Sequence, residues 1–189
     1  YQTTLFKALT EIDRNWKKYD GLIIAGTHNP KDYDIDKIIH KINEARETGL
    51  PTLLICFGHQ LIGHTFGAEC INDKVQSKYG SYDVRLTEEG KRDPLFRQLP
   101  ESFKAQYAHK DSLTRLPDGA VLLAESPVCR FGALRYGKSM YTFQFHPEVI
   151  KFNDPYPHEP SPEASKIIPL WIKGFVRTAV DVQSAATLV

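Results

Sequence analysis

The chain predicts an α/β domain built as three αβα layers, with a mostly parallel central sheet and an antiparallel appendage. Three observations carry this expectation. Short apolar runs alternate with helix-period segments through the first third of the chain. Beyond them, short apolar runs follow one another with only turns between. The residue types able to do chemistry stand where apolar runs stop, and open α/β sheets bind ligands beyond the carboxyl ends of their strands.

The elements follow in order. Residues 1–17 read as a helix through Leu5, Leu9, Ile12 and Trp16, spaced by threes and fours. Asp20-Gly21 breaks it, and residues 22–25 form a short buried strand. Ile35, Ile38, Ile39 and Ile42 make one helical face that ends near Gly49 and Pro51. Residues 52–55 are the next strand, and residues 58–66 the helix behind it. Short strands are expected around 82–86, 103–108, 121–124, 131–135 and 140–145. A last helix aligns Ala164, Ile167, Ile168, Trp171 and Phe175. The irregular stretch 152–163, with Pro155, Pro157, Pro160 and Pro162, is a surface connector or a flap.

Composition narrows the function. With 189 residues and 41% hydrophobic content, residues 1–189 are expected to form a single domain with a sizeable core. Lys plus Arg is 24 against 23 for Asp plus Glu, so charge points neither to nucleic acid nor to an anionic membrane. The longest apolar runs fall far short of the ~20 residues a bilayer span needs, and the start carries no secretory pattern. Three cysteines, an odd count, point to a reducing, cytoplasmic setting.

One cysteine is placed for chemistry. Leu53-Leu54-Ile55 stops at Cys56, and a helix-like stretch follows. A sulfur at a helix N-terminus feels the positive end of the dipole, which favours thiolate over thiol. A small buried core residue is the other reading of a free cysteine, and a second motif decides between them. In Gln144-Phe145-His146-Pro147-Glu148, His146 and Glu148 are two apart and leave the same face of an extended segment. Pro147 disfavours the α conformation for His146 and supports that extended reading. A thiol, a base and an acid to orient the base are the parts of a nucleophilic hydrolase. Cys70 and Cys129 stand in apolar, strand-like settings as inert core residues. His59 and His64 lack zinc-ligand spacing, so no metal is expected. No phosphate-binding loop appears, and no cofactor is expected.

These two motifs resemble those of the class I, or triad, glutamine amidotransferases, Gly-x-Cys-x-Gly-x-Gln and His-Pro-Glu. The likeness runs from Gly21-Leu22-Ile23-Ile24-Ala25-Gly26 to the triad. In the middle it is most similar to the glutaminase domain of GMP synthases. Lys78-Tyr79-Gly80, Pro94-Leu95-Phe96 leading to Leu99-Pro100, and Ala108-His109-Lys110-Asp111, similar to a Ser-His-x-Asp turn, carry that part. The Cys-Phe-Gly-His-Gln spelling also resembles the plant γ-glutamyl peptidases, and the segment after the triad loosely resembles CTP synthases.

The resemblance implies a flavodoxin-like fold and a glutaminase. Cys56 would attack the side-chain amide of glutamine, His146 would protonate the departing ammonia, and Glu148 would orient His146. Water would release glutamate, and the ammonia would pass to a partner synthetase domain or subunit. The same resemblance implies an oxyanion hole from the amides of Gly26 and Phe57. It implies a glutamine pocket from Gln60, His109 and Asp111. Two departures stand out. Leu54 occupies a position where the family has glycine, and Gly26-Thr27-His28-Asn29-Pro30 replaces Gly-Gly-Pro. They imply an enzyme that is weak alone and switched on by a partner. The family opens with a strand before its first helix, so this chain is expected to be a piece that lacks that strand. A stand-alone γ-glutamyl peptidase and a catalytically weak regulatory module of the same fold are the alternatives.

Overall fold

Three apolar segments are too short for helices and line up side by side. In the computed structural model, which describes residues 18–27 and 34–176, Leu22–Ile24 (β1) pairs in parallel with Thr52–Ile55 (β2). On its other side β2 pairs in parallel with Met140–Phe143 (β9). Every further ladder of this sheet is antiparallel. They run through Cys129–Tyr136 (β8), Ala120–Ser126 (β7), Lys78–Leu86 (β4) and Ser102–His109 (β5), giving the order β1-β2-β9-β8-β7-β4-β5. Cys70–Asn72 (β3) and Asp111–Leu113 (β6) form a separate antiparallel pair.

Both faces of the sheet are covered, as the alternation along β2 requires. Leu53 and Ile55 point into a core with Phe96, Phe143, Ile167 and Trp171, the last two from Ile167–Phe175 (α4). Leu54 points the other way, against Ile38 and Ile42 of Ile35–Glu47 (α1) and Leu61 and Ile62 of Phe57–Thr65 (α2). Asp34 caps α1 by accepting from the Lys37 amide at 3.2 Å.

The three-layer α/β expectation therefore describes the fold, with one adjustment of proportion. The antiparallel strands are not set apart from the parallel ones. They continue the same sheet through β8, and among the described residues they supply four ladders to the parallel pair's two. Periodicity identifies a strand but not its partner, so a hairpin and a crossover look alike when strands are short. The same cause hides β3 and β6, each three residues long. Glu88–Arg92 (α3) is invisible to periodicity because its sequence is Glu-Glu-Gly-Lys-Arg, with no apolar face; Thr87 starts it by accepting from the Gly90 amide at 3.0 Å. The expected opening helix at 1–17 lies outside the described residues.

One consequence of the sheet's curl positions everything below. β5 lies at the far end of the strand order, yet the His146 amide donates to the Gln106 carbonyl of β5 at 2.8 Å. The expected strand 140–145 accordingly ends at Phe143. Gln144 still bonds Gly132 of β8, at 2.9 Å, and His146 has crossed to β5.

Candidate active site

Cys56 sits at the junction of β2 and α2 with φ 51° and ψ −98°. Among the described residues it is the one non-glycine with positive φ, a conformation that costs of order 1–3 kcal/mol and persists only where surroundings over-determine it. Here they do. Its amide donates to the Phe143 carbonyl at 2.6 Å, and its carbonyl accepts from Gln60 at 3.1 Å. A sharp strand–turn–helix elbow of this kind lifts a nucleophile clear of the backbone. Phe57 opens α2, so its amide has no acceptor inside the helix. Leu54 is accommodated beneath the elbow, fully buried in the α1/α2 core. Gly58 makes the room, since a Cβ there would lie 3.1 Å from the Leu54 Cβ.

His146 is buried beside the elbow, and its Nδ1 lies 2.7 Å from Glu148 Oε1. The two-residue spacing thus puts base and carboxylate in contact, with Glu148 reaching towards solvent. Nε2 is buried on the Cys56 side and makes no well-formed hydrogen bond among the described residues. Burial acts to lower the pKa of this imidazole. The Cys56 sulfur and Glu148 act the other way and prevail, raising it to about 10. The charged ring's contribution to stability is therefore complete below its ordinary value of 6.5 and is lost as pH rises through about 10.

Gly26 completes this corner. A Cβ on it would lie 3.2 Å from both Cys56 Cβ and His146 Cε1, and 3.7 Å from Cys56 Sγ. Only a bare α-carbon fits comfortably over the thiol and imidazole. Thr27 is described, whereas His28, Asn29 and Pro30 of the same turn lie outside the described residues.

The expected pocket residues converge on the same side. Gln60 Nε2 donates to the Asp111 carbonyl at 2.6 Å and to Gln144 Oε1 at 3.3 Å. It is the backbone of Asp111, rather than its exposed carboxylate, that Gln60 meets. His109 is buried, and burial pulls its pKa down to about 4 against the Gln76 backbone, so it stays neutral. Two contacts to the sulfur add to the expected set: Gln144 Nε2 at 3.8 Å and the Ala108 carbonyl at 4.0 Å. Gln144 was legible, because it stands two residues before His146 and shares its face on an extended segment. The Ala108 carbonyl was not, since only the curl of the sheet brings β5 there.

His59, Cys70 and Cys129 stand apart from this corner's chemistry. His59 is buried, shares a 2.8 Å hydrogen bond with Thr142 Oγ1, and is driven by burial to a pKa of about 3. Burial pushes the Cys70 and Cys129 thiols up to about 12. Among the described residues no group of His, Cys, Asp and Glu is arranged to hold a metal ion, and no helix is long and apolar enough to cross a membrane.

The charged imidazole makes a testable pH dependence. Glu148→Gln removes the countercharge while keeping an oxygen at nearly the same place. The alkaline limb of kcat/KM for hydrolysis should move down from the neighbourhood of pH 10 towards 6.5. A pH–rate profile of the two proteins makes the comparison, and coincident limbs would remove Glu148 from the base's electrostatics.

Known proteins share both the sequence and the fold. The family model described as glutamine amidotransferase class-I matches residues 1–159. The glutamine-hydrolysing GMP synthase subunit of Methanocaldococcus jannaschii is 36% identical over 142 residues, which is 75% of this chain and 70% of the relative. That of Archaeoglobus fulgidus is 32% identical over 149 residues, or 78% and 76%. Two crystal structures are similar with a TM-score of 0.63 each. One, described as a putative GMP synthase subunit from Thermoplasma acidophilum, is 24% identical, covering 89% of this chain and 75% of its own. A glutamine amidotransferase from Thermotoga maritima is 21% identical, covering 95% and 70%. These structural likenesses speak for the fold.

Proposed function

Because the chain belongs to the class I glutamine amidotransferases, we propose that it is a glutaminase of the GMP synthase type, hydrolysing glutamine and passing ammonia to a synthetase partner. The observation that carries this reading is one corner. A strained Cys56, a buried His146 held by Glu148 at 2.7 Å, and a bare Gly26 pack against one another there.

In this mechanism Cys56 Sγ attacks the side-chain carbonyl of glutamine as a thiolate, its proton residing on His146. The amides of Phe57 and Gly26 receive the developing oxyanion; such preorganised donors contribute roughly 3–4 kcal/mol each. Collapse breaks the C–N bond, and imidazolium His146 gives its proton to the departing ammonia. Neutral His146 then takes a proton from water, whose oxygen attacks the thioester carbon, and glutamate leaves as the thiolate re-forms. Glu148 holds the Nδ1–H throughout and stabilises the charged ring. Gln60, His109 and the Asp111 turn line the side from which the amino acid head group approaches. Gln144 donates towards the sulfur.

The altered Gly26-Thr27 turn adds a kinetic expectation. Threonine resists the positive φ that the family's second glycine allows, so the second oxyanion donor is misaimed in the isolated chain. Glutamine labelled with ¹⁵N at the amide tests both points. The chain alone should release glutamate and labelled ammonia in equal amounts, slowly. With the synthetase partner of a GMP synthase, supplied with its substrates, turnover should rise about 10²-fold, the scale of one oxyanion-hole hydrogen bond, and the label should enter GMP. Label that never leaves free ammonia would overturn the acceptor. Faster cleavage of γ-glutamyl peptides than of glutamine would favour the stand-alone peptidase.

A further inference from the structure

The proline-rich segment after Glu148 does more than connect. Phe152 sets its ring edge against the His146 imidazole, 5.3 Å between centroids at 78°. His158 packs on the other side of Phe152, 5.5 Å away at 61°. His146, Phe152 and His158 thus form one file of rings, and the imidazole at its far end is 1% exposed.

That far ring is held from both ends. His158 Nδ1 lies 2.8 Å from Gln106 Oε1, and Nε2 lies 2.7 Å from Asp154 Oδ1. The amide orientation of Gln106 is settled by its other bonds. Its Nε2 donates to the Ile150 carbonyl at 2.9 Å, the Glu159 carbonyl at 2.7 Å and Ser161 Oγ at 3.0 Å. Oε1 is left to accept, so Nδ1 must donate. Asp154 is held as a carboxylate: burial works against the charge, but the Tyr156 amide and His158 lower its pKa overall. Nε2 meets the Asp154 carboxylate, so the ring is held at both nitrogens.

Gln106 also supplies, from β5, the backbone carbonyl that takes the His146 amide. β4 fastens the same segment: Glu159 N donates to Ser81 Oγ at 2.7 Å, and Ser81 N to the Pro157 carbonyl at 3.3 Å. Gly80 permits that approach, since a Cβ there would lie 2.9 Å from the Pro157 oxygen. Glu159, Lys104 and Asp83 are linked in one ion-pair chain across β5 and β4 beside the segment.

We propose that His158 is a positioning residue for His146, acting through Phe152. Gln106 and Asp154 fix the His158 ring, His158 fixes Phe152, and Phe152 limits the tilt of the imidazole about its Nδ1–Glu148 bond. Nε2 is thereby kept on the line between the sulfur and the leaving nitrogen. Such a device changes the chemical step and leaves glutamine binding alone. It rests, for its kinetic arm, on the glutaminase reading above.

The full chain as His158→Ala, Phe152→Ala, the double variant and Phe152→Tyr tests this. His158→Ala and Phe152→Ala should each lower kcat for glutamine about 10-fold, with KM within about twofold, the scale expected of a small misplacement. The double variant should be no worse than Phe152→Ala, and Phe152→Tyr, which keeps the ring edge, should restore the parental kcat. Independently of activity, the His146 signals in ¹⁵N spectra of the histidines should shift in Phe152→Ala and in His158→Ala. Losses that multiply in the double variant, a raised KM at unchanged kcat, or an unmoved His146 would each overturn the proposal. A parent that hydrolyses no glutamine would instead defeat the glutaminase reading, and the spectra would still judge the file of rings. Should Phe152→Ala fail to fold, Phe152→Leu, which keeps apolar volume without the ring edge, takes its place.

Discussion

Replacing Cys56 by alanine should lower glutamine hydrolysis about 10⁴-fold or more, because the proposed covalent route is lost whole and His146 and Glu148 are left with nothing to activate. The same expectation appears in labelling. A glutamine-mimicking electrophile should modify Cys56 and spare Cys70 and Cys129, whose thiols burial pushes up to about 12. His146→Ala should be nearly as damaging, since in the proposed mechanism one ring serves as base for the thiol and acid for the ammonia. Cys56→Gly adds a stability readout. It should be equally inactive, yet more stable than Cys56→Ala by about 1 kcal/mol, because glycine adopts φ 51° without strain. Hydrolysis that survives either substitution, or equal labelling of all three thiols, would sink the nucleophile.

Much of this site was legible because its parts are local. The strand 52–55 ends where the apolar run ends, and the structure gives Thr52–Ile55 with Cys56 at the elbow. His146 and Glu148 meet because two residues on extended backbone share a face, a fact of geometry available before any fold is known. What stayed hidden depends on the sheet's curl. Gln106 is forty residues from His146, and nothing in its neighbourhood, Lys104-Ala105-Gln106-Tyr107, marks it as the hub of the segment beside His146. The same holds for the Ala108 carbonyl near the sulfur. The proline-rich segment reads as a connector by composition, and it becomes part of the site only through aromatic contacts and hydrogen bonds to β4 and β5. Local rules find the elbow and the His146–Glu148 contact, and the long-range closure decides what holds them.

Gly26→Val should lower kcat/KM about 10³-fold with little change in melting temperature, a size expected when reacting groups are displaced and a donor is obstructed together. Gly26 follows β1 on an exposed turn, and its φ lies outside the left-handed region, so the backbone there accepts a side chain without strain. The cost falls on the site alone. Even alanine would put its Cβ 3.2 Å from Cys56 Cβ and His146 Cε1, requiring those neighbours to give by a few tenths of an ångström. They yield poorly, since the elbow is pinned through the Cys56 amide and the imidazole is held by Glu148 and Phe152. Alanine should therefore cost about 10-fold. Valine's γ-methyls reach further, into the space above the sulfur where the amide carbon of glutamine must sit. Measuring kcat/KM beside the rate at which the electrophile labels Cys56 separates the two effects. Alanine should slow hydrolysis more than labelling, and valine should suppress both. A valine variant as active as the parent would mean that the turn carries residue 26 away from the thiol during catalysis, and the second oxyanion donor would then have to come from elsewhere.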